Sequence, residues 1–298
     1  MLVTLRELLT KADAGNYAVG AFNSPTLESA RAAIEAAEEL GAPVILSHAE
    51  VHNEIVPLEV MGPILVEFAK RASVPVAVHL DHGSHLDIVK QAIDIGFSSV
   101  MIDASHMDYE DNVRTVKEVV AYAHQRGVSV EAELGVLTSS GIGGEETKGG
   151  HEISPSEPED YYTDPALAKD FVEQTGIDAL AASFGTVHGI YVTEPNLDFE
   201  RLAAIYENIQ RPVVMHGGSG LSREEYVQAI RRGVRKINYY SYAAKAGAHA
   251  VKDYIDRTAN LFYHDFTAVA KEAIKNDVKK AVEMFTLQGG GNSEAGRI

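Results

Sequence analysis

The sequence predicts an α/β fold, a (β/α)8 barrel with one extra C-terminal helix, and three observations carry that prediction. Eight short apolar or β-branched runs recur along the chain, small or polar residues follow each run, and segments of helical period separate them. In order, the opening MLVTLRELLTKAD has the spacing of a short amphipathic helix. The runs follow at residues 17–23, 44–49, 74–81, 99–105, 128–134, 177–184, 213–216 and 234–241. Between them lie LESARAAIEAAEEL, HLDIVKQAIDIG, NVRTVKEVVAYAHQRG, ALAKDFVEQTG and SREEYVQAIRRG, several with Gly just past the last turn, where a left-handed C-terminal cap is needed. Residues 135–163 break the rhythm with Gly, Ser, Glu and Pro and no periodicity, the pattern of a long active-site loop. After residue 263 a helical pattern runs to 287, and GGGNSEAGRI reads as a flexible end. An open doubly wound sheet is the competing arrangement, but no GxGxxG follows the first run. One domain over residues 1–298 is expected, since α/β barrels of roughly 250 residues commonly fold as one unit.

The chain is 45% hydrophobic and 23% charged, which excludes a disordered or fibrous protein. With 26 Lys and Arg against 43 Asp and Glu, the formal charge is −17, which repels the phosphates that dominate nucleic-acid affinity. No nucleic-acid partner is expected. Cysteine is absent, so disulfides, thiol nucleophiles and thiolate metal sites are excluded, and any metal must be held by His, Asp or Glu. The N-terminal segment lacks the basic start and apolar run of a secretory signal, and no stretch approaches ~18 uninterrupted apolar residues. A cytoplasmic protein with no membrane partner is the expectation.

In a (β/α)8 barrel the connections after the strands build the active site, so the ends of the eight runs are where chemistry is sought. Those ends carry Asn23, Asp81 and His82, Asp103 and Ser105, Glu131 and Glu133, His188, His216 with residues 217–220, then Asn238 and Ser241. Three imidazoles, from His82, His188 and His216, come from three separate strand ends, an arrangement that suits zinc or another borderline divalent ion with one position open. Taken singly, each histidine reads better as a polar residue bonded at a strand end; taken together, the three read as ligands. Among the nine other histidines His79 is the nearest rival; three residues before His82, it is expected on the opposite face of the strand, pointing out toward the helices. Asp81, at the lip of the barrel, is placed to act on substrate, whereas Asp103 and Glu133 are placed to hold imidazole N–H groups; barrel-layer ion pairs are the alternative for these carboxylates. HGGSG followed by LSREE leads into a helix start with Ser222 as N-cap and Glu225 at capping-box spacing, and NYYS follows the last run. Loops seven and eight form the usual phosphate site of this architecture, and backbone dipoles there hold an anion without Lys or Arg.

Taken in order, LDHG, SVMIDAS, VEAELG, GIGGEE, YYTDP, FGTVHG.Y, VVMHGGSG and KIN resemble the class II, zinc-dependent ketose-bisphosphate aldolases over nearly the whole chain, most of all the fructose- and tagatose-bisphosphate aldolase branch. The resemblance implies a metal lyase that cleaves a ketose 1-phosphate between C3 and C4, giving dihydroxyacetone phosphate and an aldehyde. It implies that His82, His188 and His216 bind zinc, that Asp81 exchanges the C4 hydroxyl proton and that Glu146, in the lid, handles the proton at C3. It further implies second-shell or alternate metal contacts from Asp103 and Glu133. Gly189, Gly217, Gly218, Ser219, Asn238 and Ser241 match the substrate-phosphate positions, where the family also holds a monovalent cation (Na+ or K+), and Asn23 lies in the substrate vicinity. A homodimer or homotetramer is implied as well. Chemistry agrees: carbon–carbon cleavage leaves an enediolate that needs an electrophile, and the other solution, a Schiff-base lysine at a strand end, is missing. Lys236 falls inside the eighth run, and Lys90, Lys117 and Lys169 fall on helices.

Four departures from the family pattern cluster around the sugar. Val192 stands where many fructose-bisphosphate enzymes have Lys, NYYSY replaces the usual NVDTD or NVATE, Ala49 replaces a hydroxyl residue, and the lid reads GGEET. They favour, as an alternative substrate, a different ketose 1-phosphate such as a uronate or deoxy-sugar derivative. Two other function classes compete: a metal-dependent hydrolase, which ordinarily wants an HxH on the first strand where this chain has AFN, and a non-catalytic sugar-phosphate binder.

Overall fold

The computed structural model describes residues 1–139, 161–191 and 194–287. Ten helices are described: α1 (Leu5–Gly15), α2 (Leu27–Leu40), α3 (Leu58–Arg71), α4 (Leu86–Ile95), α5 (Tyr109–His124), α6 (Pro165–Thr175), α7 (Phe199–Ile209), α8 (Arg223–Arg231), α9 (Ser241–Arg257) and α10 (Tyr263–Phe285). Local chemistry sets their ends. Thr4 with Glu7, Thr26 with Ser29, and Ser222 with Glu225 form capping boxes, and Gly41, Gly96 and Gly176 end α2, α4 and α6 in the left-handed conformation that glycine adopts without strain.

The barrel strands are β1 (Val19–Asn23), β2 (Val44–Ala49), β3 (Val76–Gly83), β4 (Ser99–Ile102), β5 (Ser129–Leu134), β7 (Ala179–Ala182), β9 (Val213–Met215) and β10 (Val234–Tyr239). All pair in parallel, and the Val19↔Lys236 register between β1 and β10 closes the cylinder. The eight predicted runs are these eight strands, in order, so the barrel replaces the open sheet. A separate two-stranded ladder, β6 (Thr138–Ser139) with β8 (Val187–His188), was not anticipated; residues 187–188 have no strand-length apolar run to signal it.

Alternation along the strands divides the core in two. Val44, Leu46, Val76, Val78, Leu80, Val100, Ile102, Val130 and Leu180 face outward and pack on the helices. Val19, Ala21, Ile45, Ala77, Met101, Ala181 and Val214 face inward, where Leu5, Leu8 and Leu9 of α1 join them. The inner apolar cluster is small because polar residues occupy the layers above it, and these build the site.

The extra helix α10 packs against α2 and α9. Its fully buried Phe285 meets the rings of Tyr226 and Tyr239 edge-on, at 4.9 and 6.0 Å, and such burial is worth roughly 1.5–3 kcal/mol. Lys271, Lys275 and Lys279, one turn apart, pair with Glu35 and Glu39 on α2. Residues 140–160, including Glu146, residues 192–193, including Val192, and the tail from 288 lie outside the described residues. Among the described residues no helix is long and apolar enough to cross a membrane.

Candidate active site

Strand parity places most of the site. On β3, Ala77, His79 and Asp81 point inward; on β5, Glu131 and Glu133 do; on β10, Lys236 and Asn238 do; and His216 continues the inward row of Val214 on β9. His82 does not follow parity. Its φ of 49° puts it in the left-handed region, and the ladder to β4 slips between Leu80 and Gly83, so two consecutive residues, Asp81 and His82, both serve the barrel mouth. This corrects the expectation for His79, which does not point out toward the helices. Fully buried, it faces into the barrel, with Nδ1 2.8 Å from Ser99 Oγ and Nε2 3.4 Å from Lys236 Nζ. Alternation between the two positions would hold only if His82 were regular strand, and it is not.

The three imidazoles expected as ligands converge. Ring centroids of His82 and His216 are 4.6 Å apart, those of His82 and His188 5.3 Å, and those of His188 and His216 5.7 Å. One nitrogen from each lies within 4.8 Å of the others. His82 Nε2 and His216 Nδ1 face each other at 2.9 Å, while His82 Nδ1 is 2.8 Å from Asp103 Oδ2 and His216 Nε2 is 2.9 Å from Glu131 Oε1. Each outer nitrogen is thus anchored on a carboxylate and each inner one is presented to a common centre. Buried His188 has no hydrogen-bond partner for Nδ1. In a second group, His82, Asp103 and Glu133, one possible ligand atom of each also lies within 4.8 Å of the others. Glu133 approaches His216 Nδ1 no closer than 3.7 Å. Of the two carboxylates expected to hold imidazole N–H groups, Asp103 meets His82, whereas the outer nitrogen of His216 meets Glu131 in place of Glu133.

Asp81 sits beside this centre, accepting from Asn23 Nδ2 at 3.0 Å on one carboxylate oxygen and from Asn238 Nδ2 at 3.1 Å on the other. Burial raises its pKa, but the fields of His82 and Lys236 outweigh that and hold it well below the usual carboxylate range, so it is ionised. Burial and the Asp103 charge push Glu133 the other way, well above its ordinary value. Desolvation works against charge on His82, yet Asp81 and Asp103 raise its pKa to about 10, while burial and the neighbouring imidazoles lower His188 to about 3.

Beneath the centre lies a network that sequence reasoning left without a role. Lys236 and Glu131, both fully buried, are 2.9 Å apart, and Glu131 also receives His216. A signal existed: Lys236 stands two residues before Asn238, on the same face of the strand.

Asp81, His82, His188, Gly189, Gly217, Ser219, Asn238 and Ser241 line one small cavity. Gly218 supports it from outside, its carbonyl accepting from the Tyr226 hydroxyl. Gly217 has φ +62°, and a Cβ there would lie 2.3 Å from the Val187 carbonyl oxygen. Gly217→Ala is therefore expected to destabilise the protein by about 1–3 kcal/mol and to raise the KM for a sugar phosphate, read by thermal melting and steady-state kinetics.

The family profile named Fructose-bisphosphate aldolase class-II matches residues 3–290. The chain belongs to that family. The aldolase is 40% identical over 290 residues to a fructose-bisphosphate aldolase of Staphylococcus aureus, covering 95% of this chain and 97% of that one. It is 42% identical over 296 residues to the 6-phospho-5-dehydro-2-deoxy-D-gluconate aldolase of Halalkalibacterium halodurans, covering 97% of each. Among solved structures, the YdjI aldolase of Escherichia coli K12 superposes with a TM-score of 0.83 at 33% identity, over 96% of this chain and 97% of that one. The aldolase is accordingly a lyase of a generally metal-dependent family, with a sugar phosphate as its class of substrate.

Proposed function

We propose that this aldolase cleaves a phosphorylated ketose between C3 and C4 to dihydroxyacetone phosphate and an aldehyde, with His82, His188 and His216 holding zinc or a similar divalent ion. The observation that carries the reading is the convergence of three imidazoles, an ionised Asp81 and a glycine-rich anion cradle on one cavity. The residues fit a metal: three nitrogen donors surround one centre, two of them braced from behind by carboxylates, and the buried His188 Nδ1 is unsatisfied. Such an ion supplies the positive charge that an enediolate requires.

The chain's own residues do the rest. Asp81 accepts the C4 hydroxyl proton on cleavage and returns it on condensation, its two oxygens held in place by Asn23 and Asn238. Gly189, Gly217, Ser219 and Ser241 hold the phosphate, with the unsatisfied Ser241 Oγ as a donor. Asp103 fixes the ring of His82, and Glu146 is assigned the proton at C3. Exposed Leu261, Phe262 and Tyr263 beside α10 support a homodimer or homotetramer, as sedimentation would show.

Metal analysis joined to a dihydroxyacetone phosphate release assay tests the reading: one ion per chain is expected, and chelation should abolish release until a divalent ion is restored. Acid should weaken metal binding. With its pKa raised to about 10, His82 is protonated at neutral pH and must lose that proton to bind, so affinity should climb as pH rises toward 10. Calorimetry in buffers of different protonation enthalpy should find about one proton released per ion at pH 7.

A further inference from the structure

Two consecutive carbonyls in the glycine-rich loop after β9 are each taken by a tyrosine hydroxyl. Tyr191 donates to the Gly217 carbonyl oxygen at 2.9 Å, and Tyr226, on α8, donates to that of Gly218. Neither tyrosine lines the small cavity to which Gly217 and Ser219 contribute. Both rings are anchored behind the loop: Tyr191 packs against the outer core, and the buried Tyr226 meets Phe285 of α10 edge-on at 4.9 Å. Burial raises the pKa of both phenols, so each keeps its proton and can donate.

A trans peptide points its C=O and the following N–H in opposite directions, and no cis bond occurs among the described residues. Holding the Gly217 carbonyl on Tyr191 therefore turns the Gly218 N–H away from that phenol. Holding the Gly218 carbonyl on Tyr226 does the same for the Ser219 N–H. Both residues are buried, yet among the described residues neither N–H meets an acceptor. Buried amides are rarely left so, and an anion in the adjoining cavity would satisfy them.

Glycine holds an anion only through its backbone, so the direction of these peptide planes sets the strength of the cradle. Glycine also turns freely, which is why the planes need an outside brace. Tyr191 reaches further than its partner. Its oxygen accepts the Val187 N–H at 3.4 Å, one residue before His188, and the Val187 carbonyl is the group that crowds Gly217. One phenol thus fastens the loop after β9 to the strand that carries His188.

Building on the aldolase reading above, we propose that Tyr191 and Tyr226 are positioning residues for the substrate phosphate: their hydroxyls hold two successive peptide planes so that the Gly218 and Ser219 N–H groups face it. Neither phenol touches the substrate. Each acts through the carbonyl it holds.

Exchange of a hydroxymethyl proton of dihydroxyacetone phosphate with deuterated water, followed by NMR, tests this on the metal-loaded enzyme. Tyr191→Phe removes only the hydroxyl. It should raise the KM for exchange about 5–50-fold and raise the inhibition constant of inorganic phosphate by a similar factor. The rate at saturation should stay within about threefold of wild type, with one metal ion per chain retained. Tyr226→Phe should act in the same direction. Loss of folded enzyme alone would instead lower the saturated rate and leave KM and phosphate inhibition where they were. Wild-type KM and phosphate inhibition in either folded variant, or a loss confined to the rate or to the metal, overturns the inference. A wild-type enzyme that binds no divalent ion and exchanges no proton overturns the aldolase reading itself. Should one variant not fold, the other decides.

Discussion

Asp81→Asn should lower dihydroxyacetone phosphate release by about 10²–10⁴-fold, the usual contribution of a positioned acid–base group, with one metal ion per chain retained. The expectation follows from geometry. Asp81 is not braced against an imidazole, as Asp103 and Glu131 are; both its oxygens are held by asparagine amides. Either asparagine can turn its carbonyl toward the new amide, so the change removes basicity with little loss of shape. Metal content measured beside activity decides the matter: if ion and activity disappear together, Asp81 supports the centre instead of acting on substrate.

The second large effect is expected at Glu131. Its carboxylate answers two buried cations or potential cations at once, the Lys236 ammonium at 2.9 Å and the His216 Nε2 hydrogen at 2.9 Å. Glu131→Ala leaves Lys236 charged inside the barrel without a counter-ion, and breaking such a pair costs about 3–5 kcal/mol. It also frees the ring of His216, for which a loss of about 10–100-fold in metal affinity is expected. Adding Lys236→Met should restore most of the stability, because the orphaned charge is gone, yet should not restore metal affinity, because His216 still lacks its acceptor. Denaturant unfolding and competitive metal titration of the single and double variants read the two effects separately. Wild-type metal affinity in Glu131→Ala would remove the link between the buried network and the centre.

The barrel was legible because each of its strands is a compact apolar or β-branched run and several helices begin or end on a capping residue, as Ser222 and Gly176 show. His216 was legible for the same reason, lying one step beyond β9 in unbroken alternation. His82 was read correctly as facing the centre, but His79 was set aside on the wrong face, because one residue with φ 49° reverses what the period of two implies. His188 depends on a ladder of two residues per strand, too short to leave a periodic trace. The Glu131–Lys236 pair was hidden by a different effect. Long-range pairing of 105 positions has no local signature, and a lysine in a strand reads as exposed until the barrel is closed around it.

The closed register has a consequence for biosynthesis. Asp81 is held by one asparagine 58 positions earlier and another 157 positions later, on strands that become neighbours only when β1 meets β10. A chain still emerging from the ribosome, even with seven strands made, has the Asp81 carboxylate untethered on one side. The pair of asparagines that brackets Asp81 is therefore complete only once the last strand docks.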